Sequence, residues 1–281
     1  MTEQQDTFLA ELQACECDPE QVEVVAFHIA VRQVQLEVAA HLPPRQEVLQ
    51  PGPAFANGVP LLPVDRLRLE PMLFDQAFER IAALVAERRP QWAIATDIPP
   101  LALVGEWYRR GGLPERTLSL VMQLALHPFL EREQLDAPDV DLNQWWRGWC
   151  PICGGLPSFA ALRPPGGERT LLCPRCWAQW PFSRVMCPFC GEDNPARLGY
   201  YPSADNVYRL YVCESCRGYL KTVDYRELAE PLSMPVLDVL TTDMDLAAVS
   251  QGYQERGGQL AYWARQVNSG PPPAGTLKPT A

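Results

Sequence analysis

Eight cysteines between residues 150 and 216 fall into four Cys-x-x-Cys pairs: Cys150/Cys153, Cys173/Cys176, Cys187/Cys190 and Cys213/Cys216. Such a turn aims both sulfurs at one point, and two turns supply the four thiolates of a tetrahedral zinc or iron site. Proline after the first cysteine pre-sets φ, and glycine after the second accepts a left-handed backbone. Nearby N–H groups are then free to donate to sulfur. "CPICG" at 150–154 and "CPFCG" at 187–191 have this form. One pair alone is a weak signal; four pairs, two of them as C-P-x-C-G, are a strong one.

Four pairs make two sites in three ways. Joining neighbours leaves spacers of 19 and 22 residues, joining alternates leaves 33 and 36, and nesting leaves 10 and 59. The first option lies near zinc-ribbon spacing. An internal repeat favours it too, since each half opens with C-P-x-C-G and sets two apolar residues before its second pair (Leu171-Leu172, Tyr211-Val212). "PPGG" (164–167) and "SADN" (203–206) are turn signals for a hairpin in each half. The expectation is therefore two tandem rubredoxin-like or zinc-ribbon modules, 148–182 and 183–226. Interleaved pairing stays open, because a repeat does not fix topology.

Disulfides would need an oxidising compartment. A thioredoxin-type CxxC needs a βαβ context, and polynuclear Fe–S clusters favour closer cysteine runs. Two mononuclear four-cysteine sites fit best. Ligand type leaves iron and zinc both open, and either contributes folding energy directly, about 10 kcal/mol per structural site for zinc. Cys15 and Cys17 lack a partner pair and read as structural or incidental. His28, His41 and His127 all precede the cysteine-rich region, so the sites should be all-thiolate. No Ser/His/Asp set, phosphate loop or carboxylate dyad stands out, and the chain reads as a non-enzyme.

The elements that position these cysteines are less sharply written. In "FDQAFERIAALVAERRP" the set Phe74, Ala77, Phe78, Ile81, Leu84 and Val85 follows helical spacing. Leu118, Val121, Met122, Ala125 and Phe129 do the same, and Val22, Val25, Ile29 and Leu36 suggest one face of an earlier helix. Prolines punctuate these stretches. The fold class expected is multi-domain α+β, with an α-helical bundle over 1–147 followed by the two metal modules. A C-terminal loop and helix should occupy 227–265, and 266–281 has the composition of a disordered tail. Five of eight tryptophans (Trp145, Trp146, Trp149, Trp177, Trp180) cluster at the joint, where they suit packing more than partner docking.

A net charge of −10 argues against polyanion binding. Within 150–230 nine basic residues meet eight acidic ones, which leaves no nucleic-acid footprint. The N-terminus shows no signal-peptide pattern and no stretch suits a membrane span, so the expected compartment is the cytoplasm.

The motif order resembles the FdhE family, the formate dehydrogenase accessory proteins. The residues that carry the likeness are Cys150-Pro-Ile-Cys153-Gly154, Leu171-Leu172-Cys173-Pro-Arg-Cys176 and Trp180 through Arg184 to Cys187 and Cys190. Cys213-Glu-Ser-Cys216-Arg-Gly-Tyr219-Leu220-Lys221 follows, and then Leu237, Asp238, Gly252 and Tyr253. The resemblance covers about 148–253. It implies a helical domain with two rubredoxin-like modules, iron in the two four-cysteine sites, and a cytoplasmic assembly factor. The implied partner is the catalytic subunit of formate dehydrogenase. A rubredoxin-like electron carrier and a nucleic-acid-binding zinc ribbon are the alternative readings.

Overall fold

Proline marks where several helices begin. In the computed structural model, which describes residues 6–43, 49–62, 66–94, 99–110, 112–135, 140, 142–228 and 231–257, helices start at Pro53, Pro71 and Pro100. At the first helical position proline loses no internal hydrogen bond and its φ is already set. The helices are α1 (Thr7–Ala14), α2 (Val22–His41), α3 (Pro53–Ala56), α4 (Pro71–Arg88), α5 (Pro100–Arg110) and α6 (Arg116–Leu135). After the sheet come α7 (Met234–Leu240) and α8 (Thr242–Ser250). The expected tail at 266–281 lies outside the described residues.

Helix α4 buries Phe74, Ala77, Phe78, Ile81 and Val85, and α6 buries Val121, Met122, Ala125 and Phe129. These belong to the stripes that the helical spacing predicts, of which Leu84 and Leu118 are only partly buried, and α6 also buries Leu126, His127, Pro128, Leu130 and Glu133 outside its stripe. Helix α2 departs from its expected face at three of four positions: Val25 is buried, but Val22 is exposed and Ile29 and Leu36 are only partly buried, while Val31, Val34 and Val38 are buried. The reason is that α2 packs on two sides, against α4 and α6 and against α1 and α7. A helix covered twice carries no single apolar stripe. Its Arg32 binds Asp6 at 2.6 Å and Glu131 at 2.7 Å, tying the entry to α1 onto α6.

Six strands form one sheet: β1 (Phe159–Arg163), β2 (Glu168–Leu172), β3 (Gln179–Phe182), β4 (Leu198–Pro202), β5 (Tyr208–Cys213) and β6 (Tyr219–Asp224). Their order is β3-β2-β1-β6-β5-β4. The turns at 164–167 and 203–206 close the β1–β2 and β4–β5 hairpins. The two modules are not separate beads. Strands β1 and β6 pair in parallel, with Phe159 opposite Lys221 and Leu162 opposite Asp224, fusing both meanders into one mixed sheet.

The main core runs unbroken from helices to sheet, joining Phe74, Trp107 and Phe129 to Leu171, Trp180 and four of the cysteines. Phe129 is fully buried at its centre. Phe129→Ala should cost about 3–5 kcal/mol, read from urea denaturation.

Four of the five clustered tryptophans pack inward to some degree. Trp180 is buried and donates to the Arg147 carbonyl, and Trp145 stacks on Phe55. Trp146 points outward, 55% exposed. His127 is buried in α6, and its Nδ1 donates to the Arg175 carbonyl at 2.9 Å. Burial holds its pKa down to about 4, whereas a free imidazole titrates near 6.5. Between those values the unfolded chain binds the extra proton, so stability falls as pH drops through this window. The slope reaches about 1.4 kcal/mol per pH unit. His127→Gln should flatten that part of the stability–pH curve.

Candidate metal centres

All four CxxC turns share one backbone design. The N–H of each leading cysteine donates to a carbonyl five residues on: Cys150 to Gly155, Cys173 to Ala178, Cys187 to Glu192 and Cys213 to Gly218, at 2.8–3.0 Å. The residue after each second cysteine takes positive φ: Gly154 at 76°, Trp177 at 56°, Gly191 at 77° and Arg217 at 56°. Two of these are the glycines of the C-P-x-C-G motifs. Trp177 and Arg217 adopt the same conformation at a cost of about 1–2 kcal/mol. Both are held by contacts: Trp177 lies against Phe8 and His127, and Arg217 against Tyr253 with a bond to the Gln251 carbonyl. The N–H groups of Ile152 and Gly218 point at the Cys150 and Cys216 sulfurs at 3.4 Å.

The turns meet as neighbours in sequence. Cys150, Cys153, Cys173 and Cys176 form one group that could hold a metal ion, and Cys187, Cys190, Cys213 and Cys216 form another. In the first, Cys150–Cys176 is 3.5 Å and Cys153–Cys173 is 3.4 Å; in the second, Cys187–Cys216 is 3.8 Å and Cys190–Cys213 is 3.7 Å. A tetrahedron with metal–sulfur bonds of about 2.3 Å has edges of about 3.8 Å. The donor sets therefore fit one four-coordinate ion each. All eight are free thiols, far from disulfide distance.

The two centres sit in different surroundings. All four cysteines of the first are buried, 0–1% exposed, inside the main core. Backbone N–H groups of Leu61 and Leu62 bond the carbonyls of Pro151 and Ile152, and Tyr108 donates to the Leu62 and Cys153 carbonyls. The helical half is thus knitted onto the first turn. At the second centre Cys190 is exposed and Cys216 partly so. Here the Cys187 thiol, bonded to Cys216, is pushed up, while that same bond draws Cys216 down to about 5.

Arg175, inside the second turn of the first centre, is fully buried, and none of its Nε, Nη1 and Nη2 has a hydrogen-bond partner. Its guanidinium lies 3.9 Å over Trp107. A buried charge without bonds costs several kcal/mol unless an opposite charge answers it. Four thiolates around a divalent ion leave a net negative charge, and Arg175 is placed to answer that. Burial opposes ionisation of Cys153, yet bonds from the other three sulfurs and the Arg175 charge hold it well below the thiol range. Nothing in "CPRC" marks this arginine as buried; its role is visible only once the helices cover it.

Gly148 explains how closely the centres approach, since a Cβ there would run into the Pro188 carbonyl oxygen. Cys15 and Cys17 join neither group and are partly buried near α1. His28 and His127 ligate nothing among the described residues.

No family model matches the chain. Among curated proteins, an FdhE homolog of Aquifex aeolicus is 31% identical over 116 residues, 40% of this chain and 40% of that protein. FdhE homologs of Stutzerimonas stutzeri (27%) and Pseudomonas aeruginosa (28%) each match 66% of this chain and 58% and 59% of their own lengths. The matched stretch thus spans about two fifths to three fifths of these relatives. The crystal structure of the FdhE protein from Pseudomonas aeruginosa aligns over 91% of this chain and 93% of its own, with a TM-score of 0.54 and 20% identity. The fold is shared with that structure.

Proposed function

We propose that this FdhE-like chain is a metal-binding accessory factor that helps formate dehydrogenase reach its active form by contacting the catalytic subunit. The observation that supports it is the pair of four-cysteine groups, assembled from the same motifs that carry the FdhE resemblance, with sulfurs at tetrahedral spacing. In this reading Cys150, Cys153, Cys173 and Cys176 hold one ion, and Cys187, Cys190, Cys213 and Cys216 the other. Iron is the assignment, with zinc the alternative; a thiolate-bound iron supplies one-electron chemistry, zinc a structural clamp. The protein acts in the cytoplasm and is not itself the dehydrogenase. Among the described residues no helix is long and apolar enough to cross a membrane.

The test is anaerobic purification with elemental analysis, joined to capture of bound proteins. Two iron ions per chain and recovery of the catalytic subunit are expected. Normal formate dehydrogenase activity in cells lacking the protein would sink the proposal. An electron-carrier role is the second reading, favoured by the solvent access of Cys190 and Cys216. A colourless, zinc-only preparation would remove it.

A further inference from the structure

Arg175 is not the only buried arginine short of partners. Arg169 of β2 is 3% exposed, and its Nη1 donates to the carbonyls of Ser183 and Met186 at 3.2 and 3.3 Å. Its Nε and Nη2 have no hydrogen-bond partner. These two nitrogens form the side-on edge of the guanidinium. With that same edge Arg32 grips Asp6 and Arg226 grips Asp224. A fork of this geometry matches the two oxygens of a carboxylate. Burial works against the charge on Arg169, and bonds to the charged form would offset that.

The guanidinium lines a cavity of about 200 Å³ between residues 184–189 and strands β4 and β5. Val185 and Tyr200 also line it and are 69% and 53% exposed, which puts its mouth at the surface. Met186, Phe189 and Leu198 give it apolar walls, and no carboxylate among the described residues lines it. Arg184 does line it. A Cβ at Gly167 would lie 2.9 Å from both Arg184 Nη1 and Arg226 Nη1, so positive charge gathers on this side.

The negative groups nearby leave the free edge of Arg169 unmet. Asp224 is already shared by Arg209 and Arg226. Cys187 of the second centre lines the cavity and its charge favours that of Arg169, yet no sulfur is bonded to Nε or Nη2. Tyr211 faces the guanidinium too, its ring centroid 4.5 Å away, and also leaves that edge unbonded.

We propose that this cavity binds a carboxylate carried on a small apolar body. The Nε–Nη2 edge of Arg169 takes both carboxylate oxygens, Arg184 adds a second positive charge, and Met186, Phe189 and Leu198 cover the apolar part. The volume lies below that of a drug-sized site and suits a single ring or side chain. A free small acid and an acidic side chain of a partner protein share this chemistry.

The experiment is calorimetric titration of the metal-loaded full chain with phenylacetate and, separately, with N-acetyl-glutamate methylamide. Phenylacetamide, of the same shape without the charge, is the control. One saturable site for a carboxylate and none for the amide is expected. Arg169→Lys keeps a charge beside the second centre but lacks the fork. It should weaken binding by about 10–100-fold and leave the metal content unchanged. If that variant fails to fold, Arg184→Gln, at an exposed position, should weaken binding about 3–10-fold. Binding of phenylacetate alone identifies a free acid as the source; equal or tighter binding of the blocked glutamate identifies a side chain. No saturable binding of either carboxylate up to about 10 mM, equal binding of the amide, or affinities unmoved in both variants would overturn the proposal.

Discussion

Cys176→Ser should yield no folded protein, whereas Cys190→Ser should yield a folded chain that has lost one metal ion. The contrast follows from where the two centres lie. Cys176 is wholly buried in the core shared by helices and sheet. Losing the ion there removes about 10 kcal/mol, against a total stability of about 5–15 kcal/mol for an ordinary domain. Serine also leaves a hydroxyl in a site built for thiolate, with the Arg175 charge unanswered. Cys190 is exposed, and its centre sits by the β4–β5 hairpin at one edge of the sheet. Its loss frees that edge while the first centre and the helices stay packed. Elemental analysis per chain and circular dichroism melting curves check both outcomes. Equal collapse of the two variants would show that the centres are not energetically distinct.

Arg175→Met should weaken metal binding at the first centre by about 10²–10³-fold and leave the second unchanged. Methionine keeps much of the apolar stem against Trp107 but removes the charge. Breaking a buried charge pairing costs about 3–5 kcal/mol, and each 1.4 kcal/mol is a factor of ten. Competition against a graded set of chelators reads the two centres separately. Identical affinities in wild type and variant would mean that Arg175 is tolerated for packing alone.

The sequence revealed what is local. Cysteine spacing and the C-P-x-C-G glycines are short-range features, and the turns at 164–167 and 203–206 fall between paired strands as their residue types require. The stripe on α4 was legible because that helix keeps one buried face, whereas α6 buries Ala125 through Leu130 without a break, so its spacing showed only part of what it covers. Long-range features were not. No periodicity announces the parallel pairing of β1 with β6, and a helix packed on both sides, as α2 is, blurs its own pattern. Trp177 and Arg217 take a glycine-like conformation because neighbours from distant segments hold them. A cavity between the helices and the sheet draws residues from Phe8 to Gly257 and has no motif of its own.

The parallel junction also has a consequence in time. Phe159, Ala160, Ala161 and Leu162 of β1 are fully buried, yet the strand that completes their sheet begins at Tyr219. Synthesis at 5–20 residues per second puts about 3–12 s between the emergence of Phe159 and of its partner Lys221. Through that interval a nascent chain exposes an apolar strand edge, the kind of template that recruits other chains. The first centre closes earlier, since Cys176 precedes β6. An ion captured there would pin the β1–β2 hairpin while its open edge waits. Metal supply during translation should therefore govern how much of this protein reaches its native state before it can aggregate.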